Sequence, residues 1–196
     1  TVSPGAAGAT ISGGGAPMPD INRVTDTFGA IGGGCTNRAG NDSGSALDAQ
    51  FATVGGGFTN IASGSYSTIG GGRFNTASND DSTVGGGISN MASGDTSTVA
   101  GGTANNATGY RSTVGGGDRN TSSGPYSTIA GGFFSTASMG YSTVAGGNGN
   151  TAGGIYTTVG GGLVNTANGA YSTVGGGHSD AATGDLVADF VRPDQR

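Results

Sequence analysis

The chain of 196 residues contains no lysine, no glutamate and no tryptophan, and it has one cysteine and one histidine. Each absence excludes a chemistry. Without lysine there is no phosphate loop of the Gly-Lys-Ser/Thr type and no Schiff-base nucleophile. Cys35 alone allows no intrachain disulfide and no cysteine-built metal cluster, and His178 alone allows no histidine-rich site. The 12 acids are all aspartates and the 7 bases all arginines, a net charge of −5. That balance, with the arginines scattered, argues against nucleic acid as a partner. No run of 18 apolar residues is present, so no membrane span is expected. Residues 1–5 lack the basic and apolar regions of a signal peptide; if secreted, the protein is expected to be present as the mature chain. Glycine is abundant instead, at 45 residues, against a usual share of about 7%. With lysine and glutamate missing as well, long helices are not expected.

What the sequence does contain is a repeat. Thr53, Thr68, Thr83, Thr98, Thr113, Thr128, Thr143, Thr158 and Thr173 recur at every fifteenth position, and each is followed by Val or Ile and then by a triplet of Gly or Ala-Gly-Gly. A second column holds Asn60, Asn75, Asn90, Asn105, Asn120, Asn150 and Asn165, with Ser135 and Asp180 as replacements, and alanine follows two residues later in eight of the nine units. The unit reads Tyr-Ser-Thr-Val-Gly-Gly-Gly-x-x-Asn-Thr-Ala-Ser-Gly-x. Two degenerate units precede it at Ile11 and Ile31, one longer by five residues and one by eight. Such a repeat is one supersecondary unit that buries its apolar face only by stacking on its neighbours.

A unit of this length is too short for a helix pair and suits two short strands and two turns. The fold class expected is all-β, a parallel β-solenoid of 15-residue coils. Residues 1–50 form degenerate coils with two inserted loops, residues 51–185 nine regular coils, and residues 186–196 a terminal cap or docking segment. Alternation over residues 66–70 puts Ser67 and Ile69 inside and Tyr66 and Thr68 outside. Ala77 faces in on the second strand. The last two glycines of each triplet are expected to take positive φ or to allow close backbone approach. The pair after them, such as Arg73-Phe74, varies like an exposed turn tip. The asparagine column fits a side-chain-to-backbone bond or an amide ladder between coils. At the other turn, Gly64, Gly94, Gly109, Gly124, Gly154 and Gly169 are the expected left-handed positions, with Asn79 as a substitute.

The motif Ser-Thr-Val-Gly-Gly-Gly-x-x-Asn-Thr-Ala-Ser-Gly resembles the head repeats of YadA-like trimeric autotransporter adhesins over residues 51–185, and more loosely over 10–50. It is also similar to repeat regions of phage fibres and bacterial surface proteins. The resemblance implies a left-handed β-roll, three chains side by side and a place outside the cell. The family's units are typically one residue shorter than those of this chain, and the glycine triplet is not its usual form.

No acid pair, nucleophile–base pair or metal cluster recurs from coil to coil. No catalytic, cofactor-binding or metal-ligating residue is therefore assigned, no cofactor is expected, and the protein is expected not to be an enzyme. The acidic insert Asn41 to Asp48 faintly matches a calcium loop but is read as a solvated loop, because the bidentate glutamate of a calcium loop is missing; calcium there is left open. Three glycosylation triplets, at Asn41, Asn106 and Asn120, match at chance level. The features that stand out lie on the outward face: the threonine rank and, beside it, Tyr126, Tyr141, Tyr156 and Tyr171. A face this repetitive is read as an interface between chains, the alternative being an exposed ladder of stacked rings. Leu186, Val187, Phe190 and Val191 form an apolar segment read as a subunit-docking element. The expected function is that of an extracellular or cell-surface structural protein that associates with copies of itself, as a trimer or a filament. The alternatives are an adhesin or fibre head binding a surface ligand and, further off, an ice-binding solenoid. Extracellular matrix or a surface glycan is a further candidate partner.

Overall fold

The computed structural model describes residues 1–14 and 21–189. Among these the fold is an all-β parallel solenoid without helix. One sheet stacks 12 two-residue strands, from Thr10–Ile11 through Thr53–Val54 to Ala188–Asp189, and a second stacks 11, from Arg23–Val24 to Ala181–Ala182. Successive coils pair one repeat apart, as in Thr68↔Thr83 and Thr76↔Met91. A third line of single bridges runs along the turn tips, from Cys35↔Phe58 to Leu163↔His178. Ile31 pairs with Val54 across the longer insertion, so the eight extra residues leave the stack as a loop without breaking its register.

The coil is narrow because its inward residues are small. Val54, Ile69, Val84 and their counterparts are buried, as are Ala62, Ala77 and Ala92 and the serines 67, 82 and 97. Burying one valine contributes about 1.5–3 kcal/mol, which alone is little for a whole ordered coil. The asparagine column adds a second buried layer. Asn75 Nδ2 donates to Gly71 O in its own coil and to Gly87 O in the next, each at 3.0 Å. Its Oδ1 accepts the Asn90 backbone N–H at 3.0 Å. The amide thus pairs Gly71 O and gives Gly87 O, which also accepts the Arg73 N–H at 3.0 Å, a second partner. The third glycine of each triplet makes this possible. Gly87 has φ +94, and a Cβ there would lie 2.2 Å from Gly102 O.

The strands are shorter than expected, Thr68–Ile69 in place of 66–70, because the flanking residues already belong to corners. One corner conformation differs from expectation. Gly64, Gly94 and the other glycines of that column do not have positive φ, nor does Asn79. The glycines serve close approach instead: a Cβ on Gly64 would meet Asn79 O at 2.1 Å. The left-handed residue stands two positions later, at Tyr66 (φ 57), Asp81, Thr96, Arg111 and the four later tyrosines. A second left-handed residue closes the opposite corner at Thr59, Phe74, Ser89 and their counterparts, so the pair that varies in sequence is constrained in backbone. Both corners direct an amide back along the stack: Tyr66 N–H to Gln50 O at 2.8 Å and Phe74 N–H to Phe58 O at 3.0 Å.

The coil backbone continues past residue 185, where the sequence motif ends, to Asp189. Leu186 takes the left-handed corner (φ 59), and Ala188–Asp189 pairs with Thr173–Val174.

Candidate functional site

The outward faces carry the residues singled out in the sequence. Thr53, Thr68, Thr83, Thr98, Thr113, Thr128, Thr143, Thr158 and Thr173 form an unbroken rank on the first sheet, all half-buried, with Ala30 and Ala188 as the neighbours beyond its two ends. The flanks of this rank are unlike: the left-handed corner on one side, glycine or alanine on the other. The second sheet has an interrupted rank of its own at Thr76, Thr121, Thr136, Thr151 and Thr166. Its signal is the threonine that follows Asn75, Asn120, Asn150 and Asn165 and, at Thr136, Ser135, with Ile61, Met91 and Asn106 breaking the series.

At the left-handed corner the aromatic side chains stack along the axis. Tyr126, Tyr141, Tyr156 and Tyr171 form one pile with centroids 4.9, 4.6 and 5.1 Å apart and planes within 6° of parallel. Phe28, Phe51 and Tyr66 form another at 4.9 Å. These separations follow the spacing of neighbouring strands. Asp81, Thr96 and Arg111 separate the piles, and the Arg111 guanidinium lies 5.0 Å from the Tyr110 ring centroid and 5.8 Å from that of Tyr126. Stacking occupies the ring faces and leaves edges and hydroxyls outward, so each tyrosine of the pile remains 38–57% exposed. A second apolar strip follows the tip line, with Phe58, Phe74, Phe133, Phe134, Leu163 and Val164 all exposed.

Of the docking residues, Leu186 is 79% exposed and Val187 41%; Phe190 and Val191 lie outside the described residues. His178 ends the tip line in a bridge with Leu163. Asn120 is buried in the ladder and is closed to glycosylation.

The acidic insert has a definite geometry. Asp42 Oδ1 lies 2.8 Å from Arg23 and its Oδ2 3.1 Å from Arg38. Beside it a cavity of about 230 Å³ is lined by Ser3, Pro4, Arg23, Thr25, Asp42 and residues 44–46. Asp26 is fully buried at the root of the insert. Its Oδ2 accepts the Thr25 hydroxyl at 2.8 Å and the Asn41 N–H at 2.9 Å. Asp48 accepts the Ser43 hydroxyl at 2.5 Å, and that bond holds its carboxyl below the usual carboxylate value. Among the described residues no three acid, thiol or imidazole side chains converge on one point, and no helix is long and apolar enough to cross a membrane. No family model and no curated protein matches the chain.

Proposed function

We propose that this chain is a non-enzymatic, extracellular structural protein whose solenoid associates with copies of itself into a filament or surface fibre. The observation that carries the reading is the periodic outward face, in which the threonine rank repeats once per coil and the tyrosine pile runs beside it over four successive coils. A surface that repeats at strand spacing is matched contact for contact only by a surface of the same pitch, and a second copy of the chain has that pitch. Aromatic rings and tyrosine hydroxyls at the edge add large contact area that retains polar partners, a composition suited to protein interfaces. The resemblance to YadA-like head repeats supports side-by-side packing of chains outside the cell. Ice binding gains less support, because the threonine rank is flanked by exposed rings and glycine in place of a second rank on the same face.

Sedimentation of the purified chain over a concentration series, with electron microscopy of the particles, tests this reading. Mass above the monomer and particles longer than one solenoid are expected. Long uniform fibres mark a structural filament, and short rods of fixed mass mark a fibre head. Thr143→Lys introduces a charge on the outward face that an interface would desolvate without a partner. It is expected to lower the assembled mass while leaving the circular dichroism spectrum unchanged. A chain that sediments as a monomer at every concentration, or a variant with unaltered assembly, overturns the proposal.

A further inference from the structure

The chain has little with which to join itself covalently to a second copy. It contains no lysine for an isopeptide bond, and Cys35 is its one thiol. It does contain phenols, and four of its 6 tyrosines stand at one corner in successive coils. Stacking alone does not call for a phenol there. At the same corner of earlier coils, Phe28, Phe51 and Tyr66 stack at the 4.9 Å that separates Tyr126 from Tyr141, and the exposed tip strip is built of Phe, Leu and Val. The hydroxyls of Tyr126, Tyr141, Tyr156 and Tyr171 are not enclosed, and none makes a hydrogen bond within the chain. Each lies at the outer end of its ring, flanked by the two ortho carbons. Two rings joined carbon to carbon meet edge to edge, whereas the rings of one pile meet face to face, so a bond within the pile would unstack it. A second pile laid beside the first at the same strand pitch meets it at the edges. A shift by one coil still leaves tyrosine opposite tyrosine. Tyr66, by contrast, stands between Phe51 and Asp81 in its column.

We propose that the pile of Tyr126, Tyr141, Tyr156 and Tyr171 is a site of oxidative cross-linking, at which phenols of two chains lying side by side are joined carbon to carbon. The inference rests on the self-association proposed above. The oxidant required is hydrogen peroxide acting through a haem peroxidase. One electron is taken from each of two facing phenols, and each hydroxyl proton leaves with it. The two phenoxyl radicals couple through a carbon ortho to each oxygen. Each of those carbons then loses its proton while its oxygen regains one, which restores both phenols. In sum, two phenols and one peroxide give one biphenol and two waters. Rings held at fixed height with their edges outward form a prearranged pair, which reacts ahead of one that meets by diffusion. Such bonds would fix the assembly at several heights, where the one cysteine offers a single point.

Treatment of the full chain with a haem peroxidase and hydrogen peroxide tests the site, with isotope-labelled and unlabelled chains mixed before assembly. The readouts are chains that stay joined in denaturant and linked peptides in mass spectrometry. Linked peptides carrying both labels are expected, with the bond among the four tyrosines of the pile. The fourfold variant Tyr126→Phe, Tyr141→Phe, Tyr156→Phe and Tyr171→Phe keeps the rings and is expected to lose the joined species while its sedimenting mass is unchanged. Tyr66→Phe is expected to leave the joined species as it was, although Tyr66 is 56% exposed against 57% for Tyr171. Should the fourfold variant fail to assemble, the linked peptides of the unsubstituted chain decide alone. Assembly without joined chains, bonds confined to single chains, or bonds carried by Tyr66 or Tyr110 overturn this proposal and leave the self-association standing. A chain that sediments as a monomer overturns both.

Discussion

Each coil turns twice through a left-handed residue, and the two corners sustain that conformation by different means. At the tip corner, Phe74 is followed by Asn75, whose amide enters the interior and bonds to its own coil and to both neighbours. At the aromatic corner, Tyr66 is followed by Ser67, whose hydroxyl donates to Gly64 O at 2.7 Å within the same turn. Side-chain contact between coils there comes from the rings outside, beside the backbone bond of Tyr66 N–H to Gln50 O. A left-handed residue other than glycine costs on the order of 1–3 kcal/mol, so both corners need support, but the buried one also has polar groups that must be paired. The tolerance of each column follows. The regular asparagine column admits only Ser135 and Asp180, whereas the aromatic column admits Phe51, Asp81, Thr96, Arg111 and Leu186. A corner supported from inside is held to one chemistry; a corner supported from outside can be interrupted, and between Tyr66 and Tyr126 it is.

The sharpest way to break this comparison is at the buried corner. Asn105→Leu keeps a similar volume but removes the donors to Gly101 O and Gly117 O and the acceptor for Asn120 N–H. Gly101 O and the Asn120 N–H left unpaired, with Gly117 O keeping only the Thr103 N–H, should cost roughly 2–5 kcal/mol, seen as a lower midpoint in denaturant unfolding. At the outer corner, Tyr156→Ala removes two stacking contacts and is expected to cost only about 1–2 kcal/mol, the ring being 45% exposed. A loss as large as that at Asn105 would show that the two corners are equivalent after all. The smallest effect is a gain. Ser135 interrupts the ladder, and Asn150 N–H reaches its hydroxyl only at 3.4 Å. Ser135→Asn should restore the amide and add about 1 kcal/mol, measured by the same unfolding curves.

The inward columns were legible in the sequence because burial restricts residue type. Val or Ile, Ala and Ser recur at fixed offsets, and the amide ladder could be read from asparagine recurring where only serine and aspartate replace it. The left-handed corners were not legible. Left-handed residues are usually recognised by glycine, asparagine or aspartate, and here the position is filled by Tyr, Thr, Arg and Val164, residues that prefer extended backbone. The glycines of that corner drew attention to themselves but serve close packing between coils. The contact of Asp26 with the insert was hidden for another reason. Asp26 lies one coil before Asn41, inside a unit too degenerate to align by its motif. On the outward face, the tyrosines are exposed through the left-handed corner and not through strand alternation, the strand being only Thr68–Ile69, and the stacking of the rings follows from strand spacing once the register is known.

The uniform register has a consequence for how fast such a molecule forms. Most strand partners lie one repeat apart, so contacts in this chain give a relative contact order of about 0.08, in the range of small helical bundles and well below that of β-sandwiches. A parallel sheet ordinarily folds slowly because distant segments must meet before any pairing is rewarded. Here each closure spans one coil, and a completed coil is a template for the next, so growth can begin at several places and spread along the axis. The loop after Ala39 then acts as a register mark. Near-identical coils could zip one unit out of step, and a stack that starts beside Asp26 and its insert has only one way to continue.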